Sequence, residues 1–308
     1  MSDAEKQALH SKVAVSCPVC ESRSFRVKYE PWVEVVDPVA LYGAASSIQG
    51  TQTLVVCSDC QTLYENPRYP EEVIYSGYAS ADESQYDSQH EIRVSSFYKA
   101  LRSMRQHLPG AGAKVLDIGT GGGAFIEAAA RVGYVAKGLE PSEFLVSQCL
   151  KRGLDVALGS VDNFQLPERS YDMVCMWDVL EHIPRPKDAL RQLRPLLKQD
   201  GVLLINYPDI GTWQAKLAGK RFWWILSGHL LHFSRNSIRE ICRSSGFDVY
   251  RLKPYWQSLQ VGYLMKLAIH YGLPLSSVLE RLTPEFLKRL PLPYYASQTT
   301  ALARLRPE

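Results

Sequence analysis

The run Val115-Leu-Asp-Ile-Gly119-Thr-Gly121-Gly-Gly123 narrows the fold more than any other feature of the chain. An apolar strand leads into an acid, then a glycine-rich turn, then a helix that Gly133 ends. Glycines at such a turn let the backbone approach a ligand closely, and the helix start presents free amides. The same alternation continues downstream. Strands are predicted at Lys114–Ile118, 134–140, 154–158, Tyr171–Trp177, 201–206 and 247–252. Helices are predicted at about 123–132, 142–152, 186–198 and 234–245, with Ser142 and Ser234 as N-caps and Gly153 and Gly246 as stops. Strands and helices in alternation with short connections imply an α/β fold, a parallel sheet covered by helices on both faces. Residues 298–305 have the character of a closing strand, and 257–290 interrupt the plan with a helical insertion that is both apolar and basic. Upstream, Phe97, Leu101, Met104 and Leu108 mark one face of a further helix.

The seven cysteines sort unevenly. Cys17 and Cys20 form one CxxC pair, Cys57 and Cys60 another, whereas Cys149, Cys175 and Cys242 stand alone in predicted helix or buried strand. Two such pairs can supply four thiolates to one tetrahedral Zn²⁺, a closed site that staples a small domain and leaves no position for chemistry. Glu21 and Gln61 follow the second cysteine of each pair, where glycine is usual.

The glycine turn alone fits two chemistries. Gly119, Gly121 and Ala124 match the dinucleotide fingerprint, and Glu140 stands where a ribose-binding acid is expected, so a dehydrogenase or a binding module on the same sheet is one reading. Four motifs in order favour another. Val115 to Gly123 is followed by Gly138-Leu-Glu140-Pro141-Ser, by Tyr171-Asp-Met-Val-Cys-Met-Trp177-Asp-Val-Leu-Glu181-His182, and by a strand after Asp200-Gly201. Over about residues 90–256 the chain resembles the class I S-adenosylmethionine-dependent methyltransferases. Its cysteine-bearing N-terminus is similar to the zinc-ribbon extension of bacterial methyltransferases of sugar, polysaccharide and natural-product pathways. The resemblance implies a Rossmann-like seven-stranded sheet and S-adenosylmethionine as cofactor. Asp117, Gly119, Thr120 and Gly121 would flank the methionine moiety, and Glu140, followed by Pro141, would take both ribose hydroxyls. Val161 and Asp162 would lie against adenine, and Trp177 would either wall the sulfonium or adenine or belong to the core.

The expected reaction is in-line SN2 displacement onto a small-molecule or saccharide oxygen or carbon, the acceptor free or lipid- or nucleotide-linked. An alcohol or carbon acid needs a base within hydrogen-bond reach. His182, beyond the fourth strand of the sheet, is the first candidate, then His232 and His229. Tyr207 and Asp209 follow the fifth strand. If helical, His229 and His232 would share a face, but with no third ligand near them a second metal is not expected. Segment 211–226, with Trp213, Phe222, Trp223 and Trp224 among Lys216, Lys220 and Arg221, is expected to be a helical lid packed on the sheet. The insertion is amphipathic enough to touch a membrane surface or a second copy of the chain.

Composition sets the remaining bounds. With 35 Lys+Arg against 32 Asp+Glu, the charge balance does not by itself imply nucleic-acid binding, and 13–62 carries no basic excess. A nucleic-acid or protein methyltransferase that reads its substrate through the zinc ribbon is the alternative this weakens. No apolar run approaches the ~18 residues a span requires. The first residues lack a secretory signal's apolar centre, so a cytoplasmic protein is expected. The domain plan is a flexible leader at 1–12, a zinc ribbon at 13–62, a connector and helix at 63–110, and a methyltransferase domain at 111–308.

Overall fold

The computed structural model describes residues 11–32, 39–42, 51–80, 90–161, 164, 166–270 and 274–307. Most of the leader and Asp162 lie outside these residues.

The central sheet has seven strands: β4 (Lys114–Ile118), β5 (Val135–Glu140), β6 (Val156–Leu158), β7 (Tyr171–Trp177), β8 (Leu197–Pro208), β10 (Phe247–Gln260) and β11 (Pro291–Leu305), in the order β10-β11-β8-β7-β4-β5-β6. β11 alone runs antiparallel to its neighbours, and the pairs from β8 across to β6 are parallel. The α/β architecture read from the alternation is therefore the one observed. Side chains along each strand alternate between two apolar layers. Leu116, Val174 and Leu203 point into one, and Val115, Met173 and Val202 into the other. In β4, β7 and residues 202–208 of β8 neither face meets water, which is why these strands read as continuous apolar runs, whereas β5, β6 and β10 are partly exposed. Helices α2 (His90–Met104), α3 (Ala124–Arg131) and α4 (Glu143–Lys151) cover one face, and α5 (Pro186–Leu193) and α7 (Arg235–Ser244) the other. Ser142 caps α4 through Leu145 N–H, and Ser234 caps α7 in a reciprocal box with Ser237.

Three boundaries differ from expectation for local reasons. α5 stops at Leu193, not 198, because Pro195 turns the chain into a short 3-10 segment that feeds straight into β8. β10 and β11 pair as far as Gln260↔Pro291, so the insertion starts at Val261, not 257. It consists of α8 (Val261–His270), α9 (Ser276–Leu282) and α10 (Glu285–Lys288). A helix the sequence reading missed, α1 (Glu71–Ser80), follows Pro70.

The cysteine-bearing segment forms a second sheet from β1 (Phe25–Tyr29), β2 (Leu54–Cys57) and β3 (Leu63–Glu65), all antiparallel. Its fourth strand comes from far along the chain: β9 (Leu231–His232) pairs with β3. Segment 211–226, which includes α6 (Trp213–Ala218), touches the central sheet at one edge, where Trp223 Nε1 donates to the Ala296 carbonyl of β11 at 3.1 Å, but packs its apolar side chains elsewhere. Its Ala215, Phe222 and Ile225 pack on Leu54, Val56 and Leu63 of the second sheet. No described helix is long and apolar enough to cross a membrane.

Candidate active site

A cavity of about 370 Å³ opens at the carboxyl ends of β4, β5 and β7, where open α/β sheets bind ligands. One half is built from the glycine turn. Gly119 has φ of +66°, and a Cβ there would stand 2.7 Å from the Val179 side chain, so the turn accepts only glycine. Asp117 at the end of β4 is buried. Its Oδ2 accepts from Thr120 Oγ1 at 2.7 Å, and its Oδ1 has no partner among the described residues. Burial pushes its carboxyl up to about 8. A desolvated, half-satisfied carboxyl on a cavity wall is complementary to a cation. Glu140 at the end of β5 accepts from Gly121 N–H at 2.8 Å through Oε2 and from Ser142 N–H at 3.0 Å through Oε1, and burial raises it also. Each oxygen keeps a further lone pair, so Glu140 both braces the turn and can accept from a diol. Gly119, Thr120, Gly121, Pro141, Val161 and Trp177 line the same space. An acid with a free oxygen, an amide-bearing turn and a second acid suit a cationic amino-acid tail joined to a nucleoside.

Trp177 serves in two ways at once. It lines the cavity and packs in an aromatic cluster with Phe97, Phe125 and Tyr255 at ring distances of 4.9, 5.4 and 5.3 Å.

The other half is lined by Tyr75 and Tyr78 from α1, Arg93 from α2, and Asp178 and His182 beyond β7. His182 Nδ1 donates to the Gly228 carbonyl at 2.9 Å and lies beside the Tyr78 hydroxyl, which leaves Nε2 as the basic nitrogen. Burial pushes its pKa down to about 4, so the ring is neutral at physiological pH. His229 packs edge-on against His182 with ring centroids 4.7 Å apart, and His232 lies 6.0 Å from His229. Neither is among the residues that line the cavity.

The two histidines do not share a helical face, since His232 is in β9. Of the two, only His229 stands among further candidate ligand atoms. Glu181, His182 and His229 bring ligand atoms within 4.8 Å of one another, and both Glu181 oxygens are buried without a partner among the described residues. Tyr207 and Asp209 are buried away from the cavity. Asp209 is occupied by Gly211 N–H, Thr299 Oγ1 and Arg235 Nε at 2.8, 3.0 and 3.2 Å.

The lining residues to which the sequence reading gave no role include Tyr75, Tyr78, Arg93 and Asp178. For the tyrosines a signal existed, Pro70 followed by Glu71-Glu72, which marks a helix start. Asp178 stands inside the motif run from Tyr171 to His182, but nothing in that run marks it as a cavity residue. It takes a left-handed φ of +56°, and its Oδ1 accepts from Asn206 Nδ2 at 2.8 Å and Gln298 Nε2 at 2.6 Å, donors from two separate strands.

Away from the cavity, the sulfurs of Cys17, Cys20, Cys57 and Cys60 all lie within 4.8 Å of one another. Both CxxC turns close alike. Glu21 N–H donates to the Cys17 carbonyl and Gln61 N–H to that of Cys57, and both residues take positive φ, +65° and +59°. These are the positions where glycine is usual. A hydrogen bond from Cys17 holds the Cys60 thiol down to about 4, so the cluster already favours a thiolate. Four convergent sulfurs of this kind are the donor set of a closed tetrahedral zinc site.

Known proteins share this architecture. A S-adenosylmethionine-dependent methyltransferase structure from Archaeoglobus fulgidus is 17% identical, with a TM-score of 0.50 over 72% of this chain and 99% of that one. A chain of the complex between the Haloferax volcanii Trm112 methyltransferase activator and a methyltransferase is 16% identical, with a TM-score of 0.52 over 73% and 96%. Among curated sequences, the ubiquinone biosynthesis O-methyltransferase of Haemophilus ducreyi is 33% identical over 106 residues, 31% of this chain and 45% of that protein. The mitochondrial ubiquinone biosynthesis O-methyltransferase of Schizosaccharomyces pombe is 36% identical over 104 residues, 31% and 38%. The chain thus spans about half or less of the length of these two relatives. A family profile described as a methyltransferase domain matches residues 89–252, more than half of the chain, and the chain belongs to that family, the S-adenosylmethionine-dependent methyltransferases.

Proposed function

We propose that this protein methylates an oxygen of a small-molecule acceptor. One observation carries the reading: a single cavity joins the Asp117–Glu140 cradle to a wall of Tyr75, Tyr78, Arg93, Asp178 and His182. The curated relatives named above are O-methyltransferases of ubiquinone biosynthesis, which supports oxygen as the acceptor atom and a small molecule as the acceptor. When bound, S-adenosylmethionine supplies an electrophilic methyl group on a sulfonium. Asp117 and the turn at Gly119–Gly121 would hold its amino-acid end, and Glu140 its ribose. Phe97, Phe125 and Trp177 keep water from the floor of the site, which strengthens each polar contact above them. His182, neutral and with Nε2 available, takes the acceptor's proton, while His229 packs edge-on against its ring.

We propose further that Cys17, Cys20, Cys57 and Cys60 hold a structural Zn²⁺, making residues 13–62 a zinc ribbon whose metal does no chemistry.

Calorimetry with S-adenosylhomocysteine, followed by methyl-transfer assays on phenolic and saccharide panels, tests the main reading. Heat at micromolar product and turnover of phenols support it. Saccharide turnover alone would move the acceptor class. Absent heat, with NADH saturating the cavity, would overturn the whole assignment.

A further inference from the structure

The insertion between β10 and β11 folds without a core of its own. Among the described residues of α8, α9 and α10, no apolar side chain is buried. Leu279, Leu282 and Phe286 are 56%, 75% and 69% exposed, and Leu275 and Leu290 of the same insertion are exposed too. Scattered exposed leucines need no explanation, but so many large apolar side chains on one short segment form a surface that something covers.

The charges on the segment say what. Its acids are neutralised internally, because Lys288 Nζ bonds Glu280 at 2.9 Å and Glu285 at 3.0 Å. Lys266, Arg281 and Arg289 remain, and none of the three is in an ion pair among the described residues. The surface is thus apolar with a positive surround and no uncompensated carboxylate. Long basic side chains on a segment rich in exposed leucine and phenylalanine suit the boundary between anionic headgroups and acyl chains, where apolar groups insert shallowly and cations meet phosphate. A second copy of the chain fits less well. A two-fold contact would bring two copies of the same net-positive segment together, with no uncompensated carboxylate on either to offset the charge. A transmembrane role is excluded by length, since no described helix is long and apolar enough to span.

We propose that the insertion α8–α10 docks this protein onto the surface of an anionic phospholipid bilayer. The bound face is the Leu279–Leu282–Phe286 surface, with Arg281 and Arg289 on the headgroups. The inference does not depend on the methyl-transfer reading, because none of these residues lines the cavity.

Flotation of the full chain with vesicles tests it, comparing phosphatidylcholine alone with an equal mixture of phosphatidylcholine and phosphatidylglycerol. The protein should float with the mixed vesicles and stay down with the neutral ones. Arg281→Glu and Arg289→Glu should each weaken partition at least about fivefold, the effect of one cation near a charged surface. The double variant Leu282→Ser/Phe286→Ser should abolish flotation. These side chains are exposed, so all variants should keep the wild-type melting temperature, which separates lost docking from lost folding. Failure to float with mixed vesicles overturns the proposal. So does a wild-type dimer in sedimentation equilibrium that the double variant splits while vesicles bind neither form.

Discussion

His232 stands opposite Leu63 in the antiparallel pairing of β9 with β3. The sheet that carries the four-cysteine cluster is thereby completed by the strand that ends in the histidine cluster, and Cys57 and Cys60 lie just before β3. Metal at the cysteines and order at the histidines are expected to be one cooperative property. Removing zinc with a chelator, or replacing Cys57 by Ser, should destabilise the chain by about 3 kcal/mol, a fall of roughly 5–10 °C in melting temperature. Histidine ring resonances of His229 and His232 should broaden in the same titration. A metal-free protein that melts unchanged, with sharp histidine signals, contradicts the coupling.

Asp117 makes cofactor binding a proton-linked event. Its carboxyl is raised to about 8 from an ordinary value near 3.8, so at pH 7 the ligand-free protein holds a proton there. The unfolded chain has lost that proton above about pH 4. The folded state then binds more protons than the unfolded one, and stability from this group falls as pH rises from about 4 to about 8. A bound cation beside Asp117 favours the charged form and expels the proton. Binding heats for S-adenosylmethionine at pH 7 should therefore vary with the ionisation enthalpy of the buffer, in proportion to nearly one proton released. Asp117→Asn should remove that dependence, flatten the pH–melting profile and weaken binding about tenfold or more.

Glu140 is tied to the turn it serves, since its Oε2 accepts from Gly121 N–H. Glu140→Gln keeps one acceptor oxygen but places an amide where the charged oxygen was. Cofactor affinity should drop about 10- to 100-fold, as expected for losing charge-assisted bonds, while maximal turnover at saturating cofactor changes far less. Equal loss in both would point to a wider collapse of the turn.

The residues differ in how far the chain reveals them. Strands β4, β7 and the 202–208 part of β8 were readable because they are buried on both faces and so nearly all apolar, and α4 and α7 because their serine caps are local signals. The glycine turn and its two acids were readable for the same reason: each sits at a strand end fixed by short-range pattern. The cavity's other wall is a tertiary product. Tyr78 and His182 meet across 104 positions, Asp178 is defined by Gln298 across 120, and no periodicity encodes such pairs. The pairing of β9 with β3 was hidden likewise, because a two-residue strand has no period to detect.

Asp178 is the sharpest test of how the acceptor's proton is handled. It lines the cavity, it is held in a left-handed conformation, and Asn206 and Gln298 both donate to its Oδ1. Burial raises its carboxyl above the ordinary value near 3.8, which makes it a stronger base than a solvated aspartate. His182, at about 4, has been made a weaker one than a solvated histidine. If His182 is the proton acceptor, His182→Ala should lower turnover about 10²–10⁴-fold, and Asp178→Asn should act mainly on acceptor KM. Since His182 is already neutral above about pH 4, wild-type turnover should show no histidine inflection between pH 5 and 8. Tyr78→Phe removes the hydroxyl beside Nδ1 and should cost less than His182→Ala. The opposite ranking, with Asp178→Asn abolishing turnover at unchanged KM and His182→Ala nearly silent, would transfer the role to the carboxylate. Single-turnover rates for the three variants, each with cofactor affinity measured separately, distinguish the two outcomes.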